Sequence, residues 1–277
     1  MNALDILGKD ASILQSIKLW LLDMDGTIYQ EDQIFPDTLD FLRAIREQGG
    51  EYVFITNNSS RSVEDYVSKV RRMGIEADPQ NFFTSAQATI LYLKEHYPGK
   101  RVYCQGTKSL IRELSEGGID ITEAVDPVDI VLVGFDTEMT SQKLRNTCEI
   151  LTLQDVIFLA VNPDLVCPVS FGYVPDCGSI CGMIYNATGK KPIYIGKPEP
   201  TMVYIAMQKH GCSPEKTAIV GDRLYTDIAA GVNAGVSALC VLSGEATMED
   251  IRQSSVKPSF VFRDIGEIRD ILRGIEQ

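Results

Sequence analysis

The sequence predicts an α/β protein built on a mainly parallel sheet, with a second α/β domain inserted into the chain. Three observations predict it. Apolar runs of strand length alternate with segments of helical period along most of the 277 residues. That length is comfortable for two domains. Two clusters of turn-forming residues, Tyr97-Pro98-Gly99-Lys100 and Ala187-Thr188-Gly189-Lys190-Lys191-Pro192, bracket a stretch with strands and helices of its own. The predicted organisation is a discontinuous core over 1–98 and 191–277, with an inserted α/β domain over 99–190.

Element by element, Ile17-Lys18-Leu19-Trp20-Leu21-Leu22 reads as a buried strand. Residues 37–48 carry Leu39, Leu42 and Ile45 at helical spacing and stop at Gly49-Gly50. Tyr52-Val53-Phe54-Ile55 is the next strand, and Ser62 to Asp65 has the pattern of a capping box opening a helix that ends at Gly74. Further strands are expected near 101–105, 129–135, 156–161, 192–196, 216–221, 237–242 and 259–262. Helices are expected near 85–96, 107–117, 140–153, 178–187, 199–210, 224–233 and 264–274. There is no internal repeat and no low-complexity tract.

Composition narrows the function. The formal net charge is −12, the wrong sign for binding phosphate backbones, so neither nucleic acid nor an anionic membrane is expected as a partner. The seven Cys include no CxxC pair, and neither of the two His lies near Cys177 and Cys181, so reduced thiols in a cytoplasmic protein are expected rather than a zinc site. Residues 1–18 contain acids and lack a long apolar core, unlike a signal peptide. No stretch approaches the roughly 18 apolar residues of a membrane span. His96 and His210 fall near the ends of predicted helices, where a cation suits the dipole.

Four predicted strands end in residues that carry chemistry. Asp23-Met24-Asp25-Gly26-Thr27 follows the first strand, where ligands bind in open parallel sheets. Extended backbone puts Asp23 and Asp25 on one side. Two close carboxylates need a cation or a proton between them. Asp23 then suits a metal-bound nucleophile and Asp25 an acid and base. Gly26 permits the sharp turn, and an Asp-rich turn with no catalytic role would read the same way. Thr56-Asn57-Asn58-Ser59-Ser60 ends the second strand, as a holder of phosphate oxygens or a capped turn. Gly196-Lys197-Pro198-Glu199-Pro200 ends another, with Lys197 either neutralising phosphate or solvated. Gly221-Asp222-Arg223-Leu224-Tyr225-Thr226-Asp227 ends a fourth. Asp222 there suits magnesium, which prefers oxygen ligands. Asp227 suits a metal-bound water, Lys197, or a helix N-terminus.

As a set these motifs resemble the haloacid dehalogenase-like phosphatase superfamily. The Thr-Asn-Asn-Ser-Ser and Gly-Lys-Pro-x-Pro forms are similar to its NagD-type branch, which includes nitrophenyl phosphatases and phosphoglycolate phosphatases. The resemblance spans most of the chain. It implies a doubly wound, Rossmann-like parallel-sheet core and an inserted α/β cap that closes over it. It implies that Asp23 becomes an aspartyl phosphate and that Asp25 protonates the leaving oxygen and then activates water. Asp23, the backbone carbonyl of Asp25, and Asp222 would ligate Mg2+, while Thr56, Asn57 and Lys197 would hold the phosphoryl group. Asp227 would support the site, in a manner that varies across the family.

The inserted segment carries similar marks at Gly134-Phe135-Asp136, Asn162-Pro163-Asp164 and Val174-Pro175-Asp176-Cys177-Gly178-Ser179. The resemblance assigns Asn162, Asp164, Asp176 and Cys177 to substrate selection. Relatives often have small residues or Asn where this chain has Asp176-Cys177. Asp176 would repel a second anionic group on the substrate if it points inward, or would face solvent. The expected activity is magnesium-dependent hydrolysis of small phosphate monoesters. A phosphotransferase or mutase on the same site and a receiver-like phosphoacceptor are the alternatives. Substrate identity and a homodimeric state stay open.

Overall fold

The computed structural model describes residues 3–60, 62–169 and 171–275. In chain order the elements begin with β1 (Leu19–Leu22), β2 (Tyr29–Gln30), β3 (Gln33–Ile34), α1 (Thr38–Glu47), β4 (Glu51–Thr56), α2 (Val63–Arg72), β5 (Phe82–Thr84) and α3 (Ser85–His96). They continue with β6 (Arg101–Gln105), α4 (Lys108–Glu116), β7 (Asp120–Thr122), β8 (Ile130–Val133), α5 (Ser141–Leu153), β9 (Ile157–Ala160), β10 (Val166–Val169), β11 (Gly172–Pro175) and α6 (Cys177–Thr188). The last are β12 (Ile193–Tyr194), α7 (Thr201–His210), β13 (Thr217–Gly221), α8 (Ala229–Ala234), β14 (Ser237–Val241), α9 (Met248–Gln253), β15 (Phe260–Phe262) and α10 (Ile265–Arg273).

The chain divides into two units, one of Met1–Thr56, Glu64–Phe83 and Lys197–Gln277, the other of Asn57–Val63 and Thr84–Gly196. The segment 99–190 expected as an insertion lies within the second unit. That unit also takes in 57–63, 84–98 and 191–196, and for 191–196 the reason is backbone pairing. The last strand of the second unit, β12, bonds in parallel to β9, with Ile193 opposite Leu159.

The first unit holds a sheet in the order β15-β14-β13-β1-β4-β5. From β15 to β4 every pairing is parallel. β1 is buried at all four residues, which is why it reads as an unbroken apolar run rather than an alternating one. Its register places Leu22 opposite Val220 of β13 and Phe54 of β4. The three neighbouring strands therefore end close together, β13 one residue and β4 two residues beyond the end of β1. Trp20 meets Phe41 of α1 edge to face, with ring centroids 5.8 Å apart. On the same helix layer, Arg269 of α10 pairs with Asp37 at the start of α1.

The second unit has its own sheet, β12-β9-β8-β6-β7, parallel throughout. Val131, Val133, Phe158, Ala160, Ile150 and Ile184 lie in its core. An antiparallel hairpin, β10–β11, stands apart from that sheet.

The longer expected elements appear near their predicted positions, and both His close their helices as the last residue of α3 and of α7. The expected helix over 224–233 is instead one π-helical stretch, Leu224–Ile228, followed by α8. The short strands β2, β3, β5, β7, β10 and β11 and the helix α9 were not anticipated. Most are two to four residues long, too short for a periodic signal. All seven Cys are free thiols, and no helix among the described residues is long and apolar enough to cross a membrane.

Candidate active site

The neighbouring strand ends of the first unit decide where the site forms. Asp23 leaves β1 with its backbone N–H bonded to Val220 O at 2.9 Å. That bond holds it beside the Gly221-Asp222 end of β13. Asp23, Asp222 and Asp227 each direct a carboxylate oxygen into one cluster, all within 4.8 Å of one another. Lys197 Nζ lies 2.7 Å from Asp23 Oδ1, 2.5 Å from Asp227 Oδ1 and 3.3 Å from the carbonyl of Ile55 in β4. A lysine from one connection thus ties together the ends of β1 and β4 and the helical stretch that follows β13. The Lys197-Pro198 peptide is cis.

Burial gives these charges their strength. Lys197, Asp222 and Asp227 are all enclosed, while the Asp23 side chain keeps 14% of its surface exposed, enough to meet a ligand from one side. Burial, and then the charge of Asp227, pushes the Asp23 carboxyl up to about 8 against the pull of Lys197. Asp222 is pushed up to about 6 by burial and then by Asp227. Burial disfavours the Lys197 ammonium, but Asp227 and Asp23 more than offset it and hold the amine above its ordinary value. Burial first, and the crowding of three carboxylates second, make two of the acids resist ionisation despite Lys197 and Arg223 nearby.

The donor set fits a hard divalent cation. It is all oxygen, with no His or Cys in the cluster. Asp222 Oδ2 accepts the backbone N–H of Glu245 at 2.8 Å, whereas Asp222 Oδ1 is buried with no hydrogen-bond partner among the described residues. The walls are cut back to make room. A Cβ on Gly26, whose φ is +83°, would enter the Asp222 carboxylate, and so would one on Gly244. A Cβ on Gly221 would strike the Asp227 side chain.

Of the predicted site residues, the first unit brings together Asp23, Lys197, Asp222 and Asp227, with Gly26 beside them. Thr56 ends β4 and is buried. Asp25 is exposed, its backbone bridging to Tyr29 at the hairpin formed by β2 and β3, and its carboxylate is not one of the three in the cluster. Two contributors escaped the sequence reading. Arg223 lies close enough for Asp23, Asp222 and Asp227 to hold its guanidinium above its ordinary value although burial opposes the charge. Its Nε is 3.0 Å from Glu245 Oε2. The Ser243-Gly244-Glu245 turn after β14 also faces the cluster, with Ser243 Oγ bonded to Gly26 O at 2.7 Å. Arg223 sits directly after Asp222, so a charge count of that motif finds it. The turn has no local signal.

In the second unit, Asn57 donates from Nδ2 to Asp164 Oδ1 at 3.1 Å, and its carbonyl accepts from Asn162 Nδ2 at 2.6 Å. Asp176 is buried and caps α6, accepting the Cys177 N–H at 2.5 Å. Its burial excludes the solvent-facing alternative. Cys177 belongs to the core of the second sheet, its Sγ 3.4 Å from Val133 O, so the expected substrate-selecting role meets a fully enclosed side chain. Burial raises its thiol well above the ordinary value.

The parallel α/β core thus gathers a carboxylate cluster and a buried lysine beyond its strand ends, an all-oxygen donor set suited to a hard cation. The chain belongs to the haloacid dehalogenase-like hydrolases, as a NagD-type phosphatase, a class of phosphoric monoester hydrolases. The haloacid dehalogenase-like hydrolase model matches residues 20–120, and a second model, HAD-hydrolase-like, matches 194–268. The acid sugar phosphatase of Staphylococcus aureus (strain MRSA252) is 34% identical over 257 residues, 92% of this chain and 97% of its own. The solved 4-nitrophenylphosphatase of Thermotoga maritima is 38% identical with a TM-score of 0.88, covering 93% of this chain and 98% of its own. NagD from E. coli K-12 is 33% identical with a TM-score of 0.84, covering 91% and 98%.

Proposed function

We propose that this phosphatase is magnesium-dependent, acts on small phosphate monoesters, and works through an aspartyl phosphate on Asp23. The observation that carries the reading is the seat of Asp23, bonded to Lys197 and clustered with an Asp222 carboxylate that keeps one buried oxygen without a hydrogen-bond partner among the described residues. Asp23, the backbone carbonyl of Asp25, and Asp222 would hold Mg2+. The ion, when bound, supplies the positive charge that lets carboxylate and phosphate approach.

The chain's own residues then carry the steps. An oxygen of ionised Asp23 attacks phosphorus, and the bond from phosphorus to the ester oxygen breaks. Asp25 gives its proton to that departing oxygen. Asp25, now a carboxylate, takes a proton from a water that attacks the phosphoryl group, which releases phosphate and restores Asp23. Lys197 offsets the charge of the phosphoryl oxygens, with Thr56 and Asn57 as further ligands. Asp227 keeps the Lys197 ammonium charged and aimed. The second unit serves as the cap, limiting water at the site during attack. The names of the relatives, acid sugar phosphatase and 4-nitrophenylphosphatase, make sugar phosphates the first substrates to try.

The test is phosphate release from a panel of monoesters, with and without Mg2+, by wild type and Asp23→Asn. Magnesium-dependent release that vanishes in Asp23→Asn is the expected result. Release that survives either the chelator or the substitution overturns the reading.

A further inference from the structure

In an open parallel sheet, the residues beyond the carboxyl ends of the strands are where other groups are held. At that end of the second sheet the chain packs its own segment 57–60, which lies against the residues leaving β8 and β9. Ser59 is 1% exposed, and its Oγ accepts the Phe135 N–H just past β8 at 3.2 Å. The Asn57 carbonyl accepts two short bonds, from Asn162 Nδ2 just past β9 at 2.6 Å and from Ser85 Oγ at 2.6 Å. Asn57 Nδ2 donates to Asp164 Oδ1 at 3.1 Å. Asp164 is itself pinned, since its carbonyl accepts the Gly178 N–H at 2.8 Å.

The same place secures the return of the chain. Gly196 N donates to Val161 O at 2.8 Å. A Cβ at Gly196 would stand 2.6 Å from Asn57 Oδ1. The two connections between units that carry chemistry, Thr56–Asn57 and Gly196–Lys197, are thus fastened side by side on the second unit.

We propose that the carboxyl end of the second sheet is a docking site for the chain's own segment 57–60, and that Asn162, Asp164 and Ser59 are positioning residues for Thr56 and Lys197. The proposal rests on the phosphate-holding roles given to those two residues above. Thr56 is covalently joined to Asn57, and Lys197 to Gly196, so fixing Asn57 against Asn162 and Gly196 fixes the starting points of both. On the first unit the bond from Lys197 Nζ to Ile55 O closes the same tie. A shift of about 1 Å in such a constellation costs on the order of a hundredfold in rate. Asn162 has no exposed surface and acts on a backbone carbonyl, so it sets geometry rather than chooses substrates.

The experiment compares wild type with Asn162→Ala, Ser59→Ala, Asp164→Ala and Asp164→Asn, all full length with Mg2+. It measures kcat and KM on two monoesters with unlike leaving groups, a hexose phosphate and 4-nitrophenyl phosphate, with melting temperature and affinity for inorganic phosphate alongside. Asn162→Ala and Asp164→Ala are expected to lose roughly 10- to 100-fold in kcat/KM, by the same factor on both esters, and to bind inorganic phosphate more weakly. Asp164→Asn restores most of the Asp164→Ala loss, because an amide oxygen accepts the same bond from Asn57. A change in the ranking of the two esters, or undiminished kcat/KM in folded Asn162→Ala and Asp164→Ala, overturns the proposal. Should Asn162→Ala fail to fold, Ser59→Ala and the Asp164 pair decide it by the same criteria. Wild type that hydrolyses neither ester overturns the phosphatase reading instead. Phosphate affinity then decides the docking alone, with equal values in wild type and Asp164→Ala counting against it.

Discussion

Lys197 Nζ sits 2.5 Å from Asp227 Oδ1, and both side chains are almost wholly enclosed, at 3% and 1% exposure. Removing Asp227 takes away the shorter of the two carboxylate bonds to Lys197 and leaves it the one to Asp23, at 2.7 Å. Loss of one buried charge-assisted hydrogen bond is expected to destabilise Asp227→Ala by about 1.5–3 kcal/mol and, by freeing Lys197 to move, to lower kcat/KM strongly. Asp227→Asn keeps an acceptor for Lys197 and should lose less of both. Chemical denaturation and steady-state kinetics on the two variants check this, and equal stability in all three proteins counts against the pair.

The metal ligands make a second prediction. Asp222→Ala removes the carboxylate whose Oδ1 has no protein partner among the described residues. It is expected to raise the Mg2+ concentration for half-maximal activity by at least about tenfold, the effect of losing one charged ligand. Gly244→Ala leaves every ligand in place but puts a methyl group into the Asp222 carboxylate. It should weaken metal binding in the same direction, and an unchanged metal titration in Gly244→Ala would show that the close approach has no bearing on the site.

The pH dependence of stability follows from Asp23. Its folded carboxyl is pushed up to about 8 by burial and by Asp227, whereas an unfolded aspartate titrates near about 3.9. The folded state therefore holds the proton more tightly, and the contribution of this group is full below the unfolded value and is lost as pH rises through about 8. Asp222, at about 6, acts in the same direction. Metal-free protein is expected to melt at progressively lower temperature from pH 5 to 8, and Mg2+, by favouring the ionised form, should protect most at the alkaline end. Asp23→Asn should flatten the metal-free curve. A melting temperature that rises over that range without metal contradicts the assignment.

Asp176 and Cys177 are expected to behave as structural residues. Asp176→Ala removes the cap of α6, at a cost of about 1 kcal/mol. Cys177→Ala opens a small void in the core of the second sheet, costing about 1–2 kcal/mol. Both should lower the melting temperature and leave the order of preferred substrates unchanged. A reordered substrate ranking in either variant restores the role first expected of them.

Much of the fold is legible in local patterns. β1 and β13 are five residues or fewer, but each is buried on both faces and runs without interruption, so apolar runs mark them clearly. The hairpin β10–β11 stands apart from the main sheets, with β11 half exposed, and its sequence has neither alternation nor length to announce it. The inserted segment was bracketed by turn residues, but turn chemistry cannot reveal that β12 pairs with β9 or that Asn57 to Val63 joins the second unit. Those depend on hydrogen bonds between residues 28 or more positions apart.

By itself the sequence determined which side chains stand at strand ends: Asp23, Thr56, Lys197 and Asp222 each follow an apolar run, because ending a buried strand and presenting a polar group are both local acts. Only the tertiary structure decided how those ends combine. Register set the ends of β1, β4 and β13 side by side. Packing then brought Asp227 beside Lys197, set Arg223 within reach of three carboxylates and left Asp25 exposed. It turned Cys177 into the core and Asp176 onto its helix. Charge and burial are properties of neighbourhoods, and the neighbours here come from distant parts of the chain.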